Sequence, residues 1–180
     1  MRVQLVGAGG REHALAWRLA QSPSVDTLIC APGNPGMRRL GDCVPVKPED
    51  VEGQVALAKA RAVDLVVVGP EAPLAAGLAD RLSAEGIAVF GPSAKAARIE
   101  SSKAYAKAIM AKAGVPTAGY AVFTDRDAAK AYIADRPGPY VLKADGLAGG
   151  KGVVIAQARN EAHTVIDAMF SGAFGGSGAA

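Results

Sequence analysis

The chain has few cysteines, histidines and aromatic residues, and it has no long hydrophobic run. Its two cysteines, Cys30 and Cys43, and its two histidines lack the spacing of metal ligands, which argues against a zinc site. No apolar run approaches the roughly 20 residues that cross a bilayer, and residue 2 leads directly into a strand-like segment. These absences predict a cytoplasmic protein with reduced thiols and no membrane partner.

A dense basic run is also missing, although the net charge is +3, from 20 Lys and Arg against 17 Asp and Glu. The basic residues are scattered and few aromatics lie among them, so no nucleic-acid partner is expected. A mild positive charge is explained equally well by small anionic ligands. Half of the 180 residues are hydrophobic, which allows a sizeable core in one domain, or in one domain plus part of a second.

The first half of the chain alternates short apolar strands with helical segments. Strands are predicted at 2–7 and within the segments 26–36, 64–74 and 87–93, with helices at 11–22, 48–62 and 75–86. This alternation predicts an α/β domain over residues 1–102, with a Rossmann-like parallel sheet covered on both faces.

The second half has a different pattern, and we assign it to a separate α+β unit over residues 103–180. A helical stretch at 93–116 is broken around residues 100–102. Segment 140–156 predicts two strands that flank a glycine-rich loop, and a helix follows at 160–170.

The segment "VGAGGREHA" (6–14) resembles the start of a dinucleotide-binding unit, but two tests for that function fail. Gly7 and Gly9 occupy the first two positions of the G-x-G-x-x-G fingerprint, whereas Glu12 occupies the third. The second strand ends at Pro32 without the acidic residue that holds the adenosine ribose. An NAD-dependent oxidoreductase therefore remains only a disfavoured alternative.

The same turn can still bind an anion. Gly9 and Gly10 allow a tight turn at the start of a helix, where backbone N–H groups and the helix dipole favour negative charge, and Arg11 adds a guanidinium suited to phosphate. Glu71 follows another strand at the carboxyl edge of the sheet, where it could hold hydroxyls or an amine. The alternative is a plain turn with Arg11 and Glu71 exposed to solvent.

The segment "VLKADGLAGGKGVVI" (141–155) indicates a second chemical centre. It is not a Walker A loop, because a glycine rather than Ser or Thr follows its second lysine. A glycine-rich loop between two strands can cover a triphosphate with its N–H groups, while lysines supply positive charge. The residues that we expect to do so are Lys143, Gly146, Gly149, Gly150, Lys151 and Gly152. A hairpin with solvated lysines is the alternative.

Seven motifs, in this order, resemble those of the glycinamide ribonucleotide synthetase (phosphoribosylamine–glycine ligase) family of ATP-grasp enzymes. They are "GGREHALAW" (9–17), "APGN" (31–34), "VGPEAPL" (68–74), "FGP" (90–92), "SKAYAK" (102–107), "KADGLAGGKGV" (143–153) and "FGGSG" (174–178). The resemblance covers essentially the whole chain. It implies a pre-ATP-grasp domain followed by the first, incomplete part of an ATP-grasp domain.

The resemblance also implies an activity, in which ATP, glycine and 5-phosphoribosylamine are converted to glycinamide ribonucleotide through a glycyl phosphate. It implies catalytic roles for Lys143 and Lys151, an ATP contact for Lys103, and phosphoribosylamine contacts for Gly9, Gly10, Arg11 and Glu71. No metal ligands are assigned in this chain. Those for Mg²⁺ or Mn²⁺ are expected elsewhere in a full-length, monomeric enzyme, and this chain alone is expected to be inactive. The alternatives are another ATP-grasp carboxylate–amine ligase and a non-catalytic nucleotide-binding fragment.

Overall fold

The computed structural model describes residues 1–149 and 151–174. The chain divides into two compact units, Met1–Arg98 and a second that begins at Ile99. No helix in the described part of the chain is long and apolar enough to cross a membrane.

The first unit is built on a five-stranded parallel sheet. Its strands are β1 (Arg2–Gly7), β2 (Thr27–Pro32), β3 (Asp42–Cys43), β4 (Leu65–Val68) and β5 (Ala88–Phe90). Their order across the sheet is β3-β2-β1-β4-β5. Central strand β1 pairs with β2 on one side and with β4 on the other, so that Leu5 lies beside both Cys30 and Val67.

Helices cover both faces of this sheet, because neighbouring strand residues point to opposite sides. The helices that contribute to this unit are α1 (Gly10–Leu19), α2 (Val51–Ala60), α3 (Glu71–Ala75), α4 (Leu78–Ala84) and the start of α5 (Ala94–Ser101). Val6 and Val66 pack in a buried cluster with residues of α2 and α4, whereas Leu5 and Val67 pack with Ala16 of α1. The predicted parallel sheet with two covered faces is confirmed.

Glu71, which we expected after a strand at the carboxyl edge of the sheet, is the first residue of helix α3, directly after Pro70. Proline has no N–H to extend the β4 ladder, and its restricted φ suits a residue just before a helix.

The second unit contains an antiparallel hairpin packed against helices. Its elements are α6 (Lys103–Lys112), α7 (Arg126–Ile133), β6 (Tyr140–Lys143), β7 (Val153–Ala156) and α8 (Arg159–Phe170). Tyr140 and Ala156 of the hairpin are buried with Ile133 of α7 and Ile166 of α8. The predicted helix break lies at Ser102, which has an extended backbone and whose hydroxyl accepts a hydrogen bond from the Tyr105 N–H at 3.1 Å.

Candidate functional site

The first unit gathers its candidate residues at the carboxyl edge of the sheet. Strands β2, β1 and β4 are parallel neighbours, so the loops that follow them share this edge. The chain adds β2 and β3 on one side of β1 and then β4 and β5 on the other, which makes β1 and β4 the switch point of the sheet. Open α/β sheets bind ligands in the crevice at such a point.

Glu12 lies at this switch point as the third residue of α1, and only 5% of it is exposed. Its Oε2 atom accepts a hydrogen bond from the Gly9 N–H at 2.8 Å. A methyl group at either Gly7 or Gly69 would overlap the Glu12 Cγ atom. The absence of side chains at the ends of β1 and β4 therefore makes room for a carboxylate where dinucleotide-binding proteins carry a third glycine.

Arg11, which sequence reasoning selected, is held by Glu12 and also lies near Glu71. Its Nε donates to Glu12 Oε1 at 3.1 Å, and its Nη2 lies 3.6 Å from Glu71 Oε2. The hydrogen bond and charge of Glu12 raise the pKa of Arg11, and Glu71 adds a smaller effect in the same direction. We call Arg11, Glu12 and Glu71 the Arg11 cluster. The side chain of Arg11 is 65% exposed, so the guanidinium is accessible to a ligand.

The two glycines beside this cluster differ in their surroundings. The Gly9 N–H already has Glu12 as its acceptor. Gly10 is the first residue of α1, and a methyl group there would meet nothing within 4 Å. Space is therefore open beside Gly10, next to Arg11.

Asn34, which was not assigned a role from the sequence, joins two of the edge loops. Its Nδ2 donates to the Ala8 carbonyl at 2.9 Å, and its Oδ1 accepts from the N–H groups of Gly36 at 2.9 Å and Met37 at 3.2 Å. The sequence carried an indication of this role, because asparagine beside glycine and proline commonly fixes a turn through its side chain.

The second unit carries the glycine-rich loop, residues 144–152 between β6 and β7. Lys143 pairs in register with Val153, and both are exposed on the same face of the hairpin. Lys151 is also exposed. Within residues 1–149 and 151–174, the ammonium groups of these two lysines have no hydrogen-bond or ion-pair partner. Both ammonium groups can therefore pair with the negative charge of a phosphorylated ligand.

The backbone of this loop uses glycine where other residues would be strained. Gly146 and Gly149 have φ angles of +97° and +55°. The Ala144 N–H donates to the Gly152 carbonyl at 2.8 Å, which closes the hairpin. Gly150 and residues 175–178 of the motif "FGGSG" lie outside the described residues.

The base of the glycine-rich loop is bound to the start of α6. Ser102 Oγ donates to Asp145 Oδ2 at 2.9 Å, the Ala104 N–H donates to Asp145 Oδ1 at 3.2 Å, and Lys103 Nζ donates to the Gly146 carbonyl at 2.9 Å.

These contacts also set the ionisation of Asp145. Burial acts to raise the pKa of Asp145, but hydrogen bonds from Ser102 and from nearby backbone N–H groups outweigh it, so this pKa is lowered. Lys103 was identified from the sequence, whereas Asp145 was missed.

No group of three or more His, Cys, Asp and Glu side chains that could hold a metal ion occurs in residues 1–149 and 151–174.

Comparison with known proteins agrees with an α/β domain followed by the beginning of an ATP-grasp unit. The family model described as "Phosphoribosylglycinamide synthetase, N domain" matches residues 1–100, and "Phosphoribosylglycinamide synthetase, ATP-grasp (A) domain" matches residues 101–180. The chain belongs to the phosphoribosylglycinamide synthetase family, as the sequence motifs predicted.

Curated relatives are similar over nearly the whole chain. Phosphoribosylamine–glycine ligase from Phenylobacterium zucineum is 55% identical over 179 residues, and that from Brucella melitensis is 52% identical over 179 residues. Each alignment covers 99% of this chain and 42% of the relative. The chain thus spans less than half the length of these relatives.

Solved structures show the same fold. The crystal structure of phosphoribosylamine–glycine ligase from Thermotoga maritima is 33% identical, with a TM-score of 0.76, and the match covers 96% of this chain and 40% of that one. N5-carboxyaminoimidazole ribonucleotide synthetase from Thermus thermophilus is 23% identical, with a TM-score of 0.72 over 99% of this chain and 45% of that one. This second likeness concerns the fold alone.

Proposed function

We propose that this chain is part of an ATP-dependent ligase that joins glycine to 5-phosphoribosylamine and releases glycinamide ribonucleotide, ADP and phosphate. The family match across both units carries this proposal. The structure supports it with two kinds of centre that such a reaction needs. One is an exposed guanidinium between carboxylates. The other is a glycine-rich loop with two lysines whose ammonium groups have no partner in the described part of the chain. In this proposal residues 1–102 form the sugar-amine domain and residues from 103 onwards begin the nucleotide domain.

The first chemical step makes glycine reactive. A carboxylate is a poor electrophile, so a glycine carboxylate oxygen attacks the γ-phosphorus of ATP, the bond to the ADP oxygen breaks, and glycyl phosphate forms. Lys143 and Lys151 neutralise charge on the transferring phosphoryl group, and Lys103 contacts ATP. Backbone N–H groups of Gly146, Gly149, Gly150 and Gly152 bind phosphate oxygens.

The second step forms the new C–N bond. The amine of 5-phosphoribosylamine attacks the glycyl carbonyl carbon, the C–O bond to phosphate breaks, and the nitrogen loses a proton. Gly9, Gly10, Arg11 and Glu71 hold the sugar amine, with the guanidinium at the sugar phosphate and Glu71 at the hydroxyls or the amine. The glycine-rich loop excludes water, which protects the acyl phosphate from hydrolysis.

The remaining partners follow from the same reaction. A Mg²⁺ or Mn²⁺ ion would neutralise phosphate charge, and we assign its ligands to the full-length protein outside this chain. We infer a cytoplasmic monomer whose partners are small molecules, without nucleic acid or membrane.

The test is product identification with the full-length protein. Incubation with ATP, glycine and freshly generated 5-phosphoribosylamine should give glycinamide ribonucleotide by mass spectrometry, with one ADP per product. A panel of other carboxylates and amines tests whether the protein is instead an ATP-grasp ligase with different substrates. Product formed only from a different carboxylate and amine would overturn the proposal. Nucleotide binding without turnover of any carboxylate and amine would favour a non-catalytic binding role.

A further inference from the structure

The proposed reaction leaves one buried charge in the first unit without a role. Within the described residues, Glu12 is the only buried side chain of a charged type, and the other buried polar side chains, Gln4 and Gln54, are neutral. Burial of a carboxylate is unfavourable unless hydrogen bonds and opposite charge compensate it. An exposed glutamate at the third helix position would suffice to cap α1, so capping alone does not explain the burial.

The surroundings of Glu12 are shaped to keep it in one place. Gly7 ends β1 and Gly69 follows β4, and a methyl group at either would overlap its Cγ. A methyl group at Gly9 would lie 2.8 Å from its Oε2. These three glycines lie in two segments that are distant in sequence, and all of them border the same carboxylate.

The two oxygens of Glu12 have separate partners. Oε2 accepts from the Gly9 N–H, and Oε1 accepts from Arg11 Nε. Arg11 Nη2 lies 3.6 Å from Glu71 Oε2. The guanidinium is therefore held at Nε by the buried carboxylate, and its Nη2 lies next to the carboxylate of Glu71.

We propose that Glu12 is a positioning residue of the sugar-amine site, where it holds Arg11 by the Nε edge so that the Nη groups bind the sugar phosphate. The proposal rests on the function above and also refines it. Glu12 already accepts hydrogen bonds from the Gly9 N–H and from Arg11 Nε, so neither group is left for the phosphate. The phosphate is therefore bound by the Nη groups of Arg11, beside Gly10. Gly9 contributes indirectly, because its N–H holds Glu12.

The primary test is Glu12→Gln in the full-length protein, because glutamine keeps the shape and can still accept from Gly9 but loses the charge. Calorimetry with ribose 5-phosphate, a stable sugar phosphate, should show affinity reduced about tenfold, as for loss of a charge-assisted contact. The KM for 5-phosphoribosylamine should rise by about the same factor while kcat and the KM for ATP stay within about twofold. The matched control is Glu52→Gln, which removes a carboxylate from the exposed Arg81 pair and should change none of these constants.

A second variant displaces Glu12 without removing its charge. Gly69→Ala adds a methyl group that overlaps the Glu12 Cγ, so it should weaken ribose 5-phosphate binding in the same way. A Glu12→Ala background removes the three atoms nearest to that methyl group, so Gly69→Ala should add little further loss there. A double-mutant cycle with large coupling supports the proposal, whereas additive effects contradict it.

The outcomes separate this proposal from the proposed function. Glu12→Gln with unchanged affinity for ribose 5-phosphate, alongside loss of affinity in Arg11→Ala, overturns the positioning role and leaves the function intact. A wild-type protein that binds no ribose 5-phosphate and forms no glycinamide ribonucleotide overturns both. If the glutamine variant does not fold, hydrogen exchange of Arg11 Nε–H in the wild type decides, since rapid exchange would show that Glu12 does not hold it.

Discussion

The Ser102 hydroxyl donates a hydrogen bond to the Asp145 carboxylate at 2.9 Å, although 43 positions separate the two residues in sequence. This contact binds the base of the glycine-rich loop to the start of α6, and Lys103 reinforces it through the Gly146 carbonyl. The loop is therefore anchored up to Gly146, and we expect ligand-dependent motion to begin beyond that residue.

Asp145 should make the stability of the second unit depend on pH. Hydrogen bonds lower its folded pKa below the unfolded value, so its contribution is complete above that value, near pH 4, and disappears as pH falls through the folded pKa. Asp145→Asn should lower the free energy of unfolding by about 1 kcal/mol at pH 7. The difference in unfolding free energy between this variant and the wild type should vanish at low pH. Urea unfolding of the full-length protein at a series of acidic pH values up to pH 7 measures this difference.

The control for that series is Asp135→Asn, which changes an exposed aspartate of the same unit. It should leave the unfolding free energy at pH 7 nearly unchanged. A gap between wild type and Asp145→Asn that persists at the lowest pH would contradict the ionised hydrogen-bond arrangement.

Arg11→Ala in the full-length protein should weaken 5-phosphoribosylamine binding far more than ATP binding. The lost charge-assisted contact corresponds to roughly 1.5–3 kcal/mol, so the KM for 5-phosphoribosylamine should rise about tenfold or more. Arg11→Lys should not restore it, because an ammonium group cannot engage Glu12 and the phosphate through separate edges. Steady-state kinetics with each substrate varied is the measurement, and an unchanged KM for 5-phosphoribosylamine would disprove the assignment.

Backbone hydrogen exchange should show that the glycine-rich loop responds to nucleotide. Gly146 and Gly149 contribute little side-chain packing, and Leu147 is only partly covered, so ordering the loop costs conformational entropy that a bound triphosphate offsets. Exchange at residues 147–149 and 151–152 of the full-length protein should slow with an ATP analogue. Amides within β6 and β7 serve as the internal reference. Equal fast exchange in both states would remove the role given to Lys151.

The 180-residue chain by itself should give no ligase turnover. It covers 42% of the length of its curated relatives, and in the proposed reaction the metal ligands lie outside this chain. Most stabilisation of the transferring phosphoryl group should therefore be missing. A coupled assay for ADP is the measurement, with the full-length protein as the positive control. ADP release that requires both glycine and 5-phosphoribosylamine would refute this expectation.

The sequence by itself determined the features that depend on local pattern. Apolar strands alternating with helices specify a parallel sheet, and this topology places Arg11 and Glu71 at one edge because parallel strands end on the same side. The break at Ser102 follows from the preference of serine for helix N-caps. The hairpin around the glycine-rich loop likewise follows from two apolar runs separated by glycines.

The tertiary structure alone decided which of these residues act together. From the sequence, Glu12 served only to reject a dinucleotide site, yet it is buried because Gly69, from a different strand end, leaves space for it. The sequence did not indicate a partner for Asp145, and the structure shows that Ser102 donates a hydrogen bond to it. Burial and ion pairing depend on atoms supplied by distant segments, so local pattern could place Arg11 at the sheet edge but could not show which carboxylate holds it.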